Sequence, residues 1–163
     1  MSEHVLRPVA YVVDGRTERR DDGWADEVAT IELADDFGPD SIAGLDEFSH
    51  VEVVFRFHLL SDDDVTTGGR HPRGNPEWPR VGIFAQRASQ RPNRLAVTMC
   101  ELVGVEGPTI TVRGLDAVAG TPILDIKPVM SEFLPRSEIH QPTWSRELMV
   151  GYWDGPVVAD DEA

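Results

Sequence analysis

Lysine and cysteine are nearly missing from this chain of 163 residues: Lys127 and Cys100 are their single representatives. One cysteine cannot form an internal disulfide, and the apolar, strand-like run around Cys100 marks it as a small core residue rather than a nucleophile. No stretch approaches the roughly 18 apolar residues that would cross a bilayer. The opening MSEHVLRPVAYVV has neither the basic start nor the apolar core of a signal peptide, so the expected location is the cytoplasm. GxGxxG after a strand, a Walker loop, CxxC and HExxH are all absent, and the histidines at 4, 50, 58, 71 and 140 fall at no ligand spacing. These absences disfavour a Rossmann dinucleotide site, a phosphate-cradling loop and the common zinc sites, and no metal is expected.

What is present is acid. The formal charge of −14 opposes broad, sequence-blind nucleic-acid binding, because a polyanion is repelled at long range. The distribution is uneven, however. Asp14 to Asp64 holds sixteen acids, whereas Arg70 to Arg94 holds six arginines and the single acid Glu77, enough for a local anion site. The length fits one domain, expected over residues 1–153 with an acidic flexible tail over 154–163.

Short strands dominate the pattern. Leu6–Val13, Val28–Leu33, Ser49–Leu60, Ala96–Val105 and Thr109–Leu115 alternate or run apolar between glycine and proline turns. In Ser49–Leu60, Val51, Val53, Phe55, Phe57 and Leu59 share the expected core face. Trp24, in the charged loop Asp14–Glu27, is expected to pack back on the body or to cover a ligand. Thr66–Arg80 reads as a long loop, and Thr143–Met149 as a short helix capped by Thr143. With no βαβ alternation, the class is mainly β, an antiparallel barrel or sandwich with short helical decorations.

The segment Val81–Thr98, VGIFAQRASQRPNRLAVT, reads as two strands joined by an arginine-bearing hairpin turn from Arg87 to Arg94. Arg87, Arg91 and Arg94 offer planar donors suited to carboxylate or phosphate, and Pro92 stiffens the backbone between them. A solvated, arginine-rich loop is the other reading of the same residues. Further on, Asp125 and Lys127 share a strand face, compatible with a structural ion pair, an arginine clasp or a pocket wall.

Three stretches in order, GLDEFSHVEVVFRFH at Gly44–His58, GIFAQRASQRPNRLA at Gly82–Ala96 and GLDAVAGTPILDIKP at Gly114–Pro128, together resemble the TsaA-like proteins. Characterised members of that family include S-adenosylmethionine-dependent enzymes that methylate N6 of threonylcarbamoyl-adenosine beside the tRNA anticodon. The resemblance implies a small antiparallel β-barrel methyltransferase, a homodimer with S-adenosyl-L-methionine near the subunit interface, and tRNA as substrate. By the same resemblance Asp22, Trp24, His58, Leu59, Arg87, Leu95, Val97, Leu115, Asp116, Ala117 and Val118 would line the cofactor pocket. Arg91 and Asn93, which match the family's RPN, would support the loop or meet substrate, and Asp125 of the LDIKP element, two residues before Lys127, would orient an arginine. Arg94, although a departure, is expected to support the loop or meet substrate beside them. Methyl transfer of this kind is alignment and desolvation of two reactants, so no dedicated acid or base is assigned.

The chain departs from the family turn, approximately ATRSPFRPNPIGLS, at several positions. Ala88 stands for serine, Gln90 for an aromatic or basic residue, Arg94 for proline and Ala96 for glycine, and Val129 follows KP where tyrosine is frequent. The extra C-terminal domain of some bacterial members is not expected here. Two other readings therefore accompany the leading one: a methyltransferase with a different acceptor, small-molecule or RNA, and a non-catalytic cofactor-binding module.

Overall fold

A computed structural model describes residues 2–155. Its strands are β1 Ala10–Asp14, β2 Val28–Leu33, β3 His50–Arg56, β4 Gly69–Arg70, β5 Val81–Gly82, β6 Leu95–Glu106, β7 Thr109–Arg113 and β8 Pro122–Pro128, with one α-helix, α1, at Thr143–Leu148. Six of them close into an antiparallel barrel in the order β1-β2-β7-β6-β3-β8. The barrel alternative thus holds over the sandwich. Closure pairs each barrel strand on both sides, and β4 with β5 forms a separate two-stranded sheet.

Alternation explains the wall. In β3, Val51, Val53 and Phe55 are fully buried while His50 and Arg56 are exposed, and β2 buries Ala29, Ile31 and Leu33 in the same rhythm. With Ala10, Val12, Cys100, Ile110, Val112 and Ile123 they form the interior. Burial pushes the Cys100 thiol up to about 12, which makes it a core atom rather than a reactive one. The β6–β7 hairpin turns at Gly107-Pro108, and the positive φ of Gly107, 58°, suits a two-residue turn.

One seam is short. β1 meets β8 at only Ala10↔Ile123 and Tyr11↔Pro122, with backbone bonds from Val9 N to Ile123 O (2.8 Å), Val12 N to Thr121 O (3.0 Å) and Gly120 N to Val12 O (2.7 Å) completing the closure.

Several expectations change. The first strand begins at Ala10, not Leu6, and β3 ends at Arg56, so alternation does not reach Leu59, which is half exposed. The arginine hairpin is not a hairpin. β5 is two residues long and pairs with β4 (Gly69↔Gly82), a 3-10 turn at Ile83–Ala85 follows, and β6 pairs instead with β3 and β7. Thr143 is the first helical residue rather than the cap, a place taken by Pro142. The tail expected over 154–163 lies outside the described residues beyond Gly155. Among the described residues no helix is long and apolar enough to cross a membrane.

Candidate functional site

Strands β1, β3 and β7 end, and β2, β6 and β8 begin, at one end of the barrel. That end therefore carries the connections 15–27, 57–94 and 114–121. The C-terminal residues join them, since Gly23 N donates to Tyr152 O (2.8 Å), Trp24 N to Tyr152 O (3.1 Å) and Ala25 N to Trp153 O (2.8 Å). Connections on a rigid sheet are the common place for binding groups.

The bend from Gln86 to Arg94 is shaped by side chains bonding to backbone. Gln86 is buried and donates Nε2 to Arg70 O (3.1 Å) and Val81 O (3.0 Å), while Arg91 Nη1 donates to Gln86 O (2.7 Å). Gln90 accepts from the Arg70 guanidinium and, through its carbonyl, from Thr66 N (2.9 Å). Asn93 and Arg94 take positive φ of 63° and 55°, a left-handed kink that swings Arg94 inward. Arg94 is 8% exposed; Nη2 bonds Asp62 Oδ1 at 2.8 Å and Nη1 bonds Leu60 O. The Asp62 turn is itself fixed by Ser61, whose amide (2.7 Å) and hydroxyl (2.9 Å) donate to Asp64 and hold that carboxyl below the usual carboxylate range. Of the two roles expected of Arg94, loop support or substrate contact, its contacts fit the first, because both terminal nitrogens are occupied.

Arg87 behaves oppositely. It is exposed, and among the described residues its one hydrogen bond is Nη2 to Val97 O at 2.8 Å, which leaves other donors of the fork open. One residue along β6, Thr98 Oγ1 donates to Asp116 Oδ1, and Tyr152 donates its phenol to Asp116 Oδ2. The Asp116 carboxylate raises the phenol further above a value already lifted by burial, and the guanidinium charges of Arg87 and Arg73 pull the other way. Arg87, Val97, Thr98, Asp116 and Tyr152 thus meet on one side of the barrel mouth.

The other expected positions divide. His58 is exposed with its ring against the 119–120 turn, since a side chain added at Gly120 would stand 3.4 Å from Nε2, and partial desolvation lowers its pKa. Leu59, Leu95, Val97 and Val118 keep part of their surface free. Leu115 and Ala117 are core side chains, because burial alternates along residues 115–118 and leaves only Asp116 and Val118 half-buried. Trp24 is 5% exposed, stacked under the Arg16 guanidinium at 3.9 Å, with Nε1 donated to Asp21 O. Packing on the body, the first of its two expected roles, is what these contacts make. Asp22 is half buried and bound to Arg73 Nη2 at 2.9 Å. Asp125 pairs with Lys127 on the surface and touches no arginine, which makes it a strand-face ion pair.

Five residues escaped the sequence reading. Arg16 is buried and organises the first loop through Asp22 O (3.0 Å), Gly23 O and Glu27 Oε1 (2.8 Å). Arg73 ties the second loop to Asp22, and Trp78 Nε1 ties it to Glu147 of α1 at 2.7 Å. Thr98 carries the available signal, a lone hydroxyl on an inward-facing strand position. Tyr152, 36 residues from Asp116, carries no local signal at all. No group of three or more metal-ligating side chains occurs among the described residues.

Residues 16–133 match the family model described as the tRNA-methyltransferase O N-terminal domain. The chain is similar to the human tRNA (adenine(37)-N6)-methyltransferase, 36% identical over 102 residues that make up 63% of this chain and 23% of the relative. It is also similar to a Pyrococcus abyssi protein described as a "probable S-adenosyl-L-methionine-binding protein", 32% identical over 68% of this chain and 56% of the relative. Among solved structures, TrmO from Pseudomonas aeruginosa superposes with a TM-score of 0.69 at 27% identity, covering 85% of this chain and 61% of that one. The chain spans between about a quarter and three fifths of the length of these relatives.

Proposed function

The chain belongs to the tRNA-methyltransferase O N-terminal domain family, and from that premise we propose that it is an S-adenosyl-L-methionine-dependent methyltransferase acting on N6 of threonylcarbamoyl-adenosine next to the tRNA anticodon. The observation that carries this reading is the meeting of the three signature segments. Arg87 of the second reaches Val97 at the start of β6, Asp116 of the third reaches Thr98 one residue on, and His58 of the first packs against Gly120 of the third.

The groups present fit the cofactor. The open donors of Arg87 suit its carboxylate, the partly exposed Leu59, Leu95, Val97 and Val118 suit its adenine face, and the negative Asp116 favours a nearby sulfonium. When bound, the cofactor supplies an electrophilic methyl group. The chain's own part is alignment: Arg87 orients, the apolar residues exclude water, and the substrate nitrogen is brought in line behind the methyl carbon. Asp116 accepts a hydrogen bond from a hydroxyl at each oxygen, so its part is to hold a fixed place beside the cofactor. Arg91 and Asn93 hold the bend, and the outward guanidinium groups of Arg73, Arg80 and Arg87 meet the RNA backbone. The protein works as a homodimer, a reading supported by Met99, Met130 and Phe133, which stand exposed on one outer face of the barrel.

Transfer of label from radiolabelled methyl donor to bulk tRNA, with mapping to the anticodon-adjacent adenosine, tests the activity. Labelling of a metabolite extract but not of tRNA would shift the reading to a small-molecule acceptor, which the charge of −14 favours. Donor binding without any transfer would leave a cofactor-binding module. Light scattering in solution tests the dimer.

A further inference from the structure

Tyr152 lies beyond the residues matched by the family model, yet its phenol is fixed on the carboxylate that the third signature segment presents. Its carbonyl accepts from Gly23 N (2.8 Å) and Trp24 N (3.1 Å), so one residue binds both the site and the first loop. The loop is stiffened in turn by Arg16 and by the Asp22–Arg73 bridge, and the loop bearing Arg73 is joined to α1 by Trp78 and Glu147. Gly23 and Gly155 face each other across this clasp with φ of 79° at both, and a Cβ on either would stand 3.6–3.7 Å from the other's Cα. The C-terminal strap thereby ties together the first loop, the second loop and Asp116.

We propose that Tyr152 is a positioning residue of this site: by donating to Asp116 it holds the carboxylate at a set place beside Arg87 and Thr98, and it draws the C-terminal strap over the barrel mouth to complete the methyl-donor pocket. The inference rests on the methyl-donor reading above. It assigns a role to residues 149–155 that the three signature segments do not cover. Thr98 holds one carboxylate oxygen and Tyr152 the other, so neither oxygen of Asp116 swings toward solvent when the pocket is empty. The phenol acts as a donor throughout. The raised pKa agrees with that role and excludes a tyrosinate base near neutrality.

The test is titration of the native protein and of Tyr152→Phe with S-adenosylhomocysteine and, separately, with tRNA. Loss of one hydrogen bond to a charged group is expected to raise the Kd for the nucleoside about tenfold, with the tRNA Kd changing less than about twofold. Ligand-free hydrogen exchange at the Gly23, Trp24 and Ala25 amides should quicken in the same variant. Asp116→Asn leaves the tyrosine in place but removes one acceptor. It should give a similar nucleoside loss, the double variant should lose no more than the worse single one, and it carries the test if Tyr152→Phe does not fold. Native affinity in Tyr152→Phe, or equal losses toward nucleoside and tRNA, would overturn the proposal while leaving the methyl-donor reading intact. A folded native protein that binds no nucleoside would instead remove that reading, and this inference with it.

Discussion

The barrel wall and the collar of loops at its mouth each bury a set of side chains, by different means. In the wall Val51, Val53 and Phe55 are shielded by other apolar side chains, and their backbone bonds run strand to strand. In the collar the buried side chains include Arg16, Gln86 and Arg94, all held by backbone carbonyls: Gln86 by those of the short β4–β5 ladder, Arg16 and Arg94 by those of stretches with no strand pairing. The wall gains from area removed from water, which is non-directional. The collar gains from paired polar groups, which are directional and costly to leave half made, as at Arg16 Nε, which is buried without a partner among the described residues. Loss in the wall therefore scales with the volume emptied, whereas loss in the collar is set by which partner is stranded.

Substitutions can break that contrast. Phe55→Ala opens a void among fully buried neighbours and should cost about 3–5 kcal/mol in chemical denaturation, the largest single effect expected. Arg94→Ala should cost about 1–3 kcal/mol by leaving Leu60 O unpaired and the Asp62 turn loose. Any drop in cofactor affinity in that variant should follow the lost stability, and a wild-type melting temperature with selectively weakened tRNA binding would show that Arg94 faces substrate after all. Arg87→Ala should do the reverse, with stability within about 0.5 kcal/mol of native and S-adenosylhomocysteine bound about tenfold more weakly. Unchanged affinity would remove Arg87 from the site.

Salt sharpens the same contrast. Of the six arginines between 70 and 94 only Arg73, Arg80 and Arg87 are exposed, so the logarithmic slope of tRNA affinity against salt should be about −2 to −3 rather than about −5. The smallest effect concerns protons. Burial lowers the pKa of His58 below its ordinary 6.5, so near that value the unfolded chain holds more protons, and the residue's contribution to stability is lost as pH falls through 6.5. The pH slope of the melting temperature near 6.5 should flatten in His58→Gln, and an unchanged slope would discard the assignment.

The wall was legible because period two survives in β2, β3 and β7, where each inward residue is apolar. It failed at the ends, where Leu59 continued the pattern in sequence after β3 had stopped pairing at Arg56. The arginine bend was legible as a feature and misread as a hairpin. Val81, Ile83 and Ala85 alternate, but a 3-10 turn at Ile83–Ala85 diverts the chain after two paired residues. Family resemblance singled out Arg87 and Asp116, which lie on one side of the mouth, yet it could not separate exposed Arg87 from buried Arg94, because side-chain direction there depends on positive φ at Asn93 and Arg94. Tyr152 and Arg16 were out of reach for a simpler reason: their partners are set by loops folding against one another, and no period in the sequence records that.

The two-rung junction of β1 with β8 has a bearing on how the mouth moves. The stave that closes the cylinder is its least cross-linked one, and its tethers at Gly120 and Thr121 are the last residues of the 114–121 connection. Breathing of the cylinder at that joint is therefore passed straight to Asp116, a few residues upstream. Amides at Val12 and Gly120 should be the first of the cylinder to exchange, and a nucleoside seated in the mouth would slow them from a distance, as a cork steadies the loosest board of a cask.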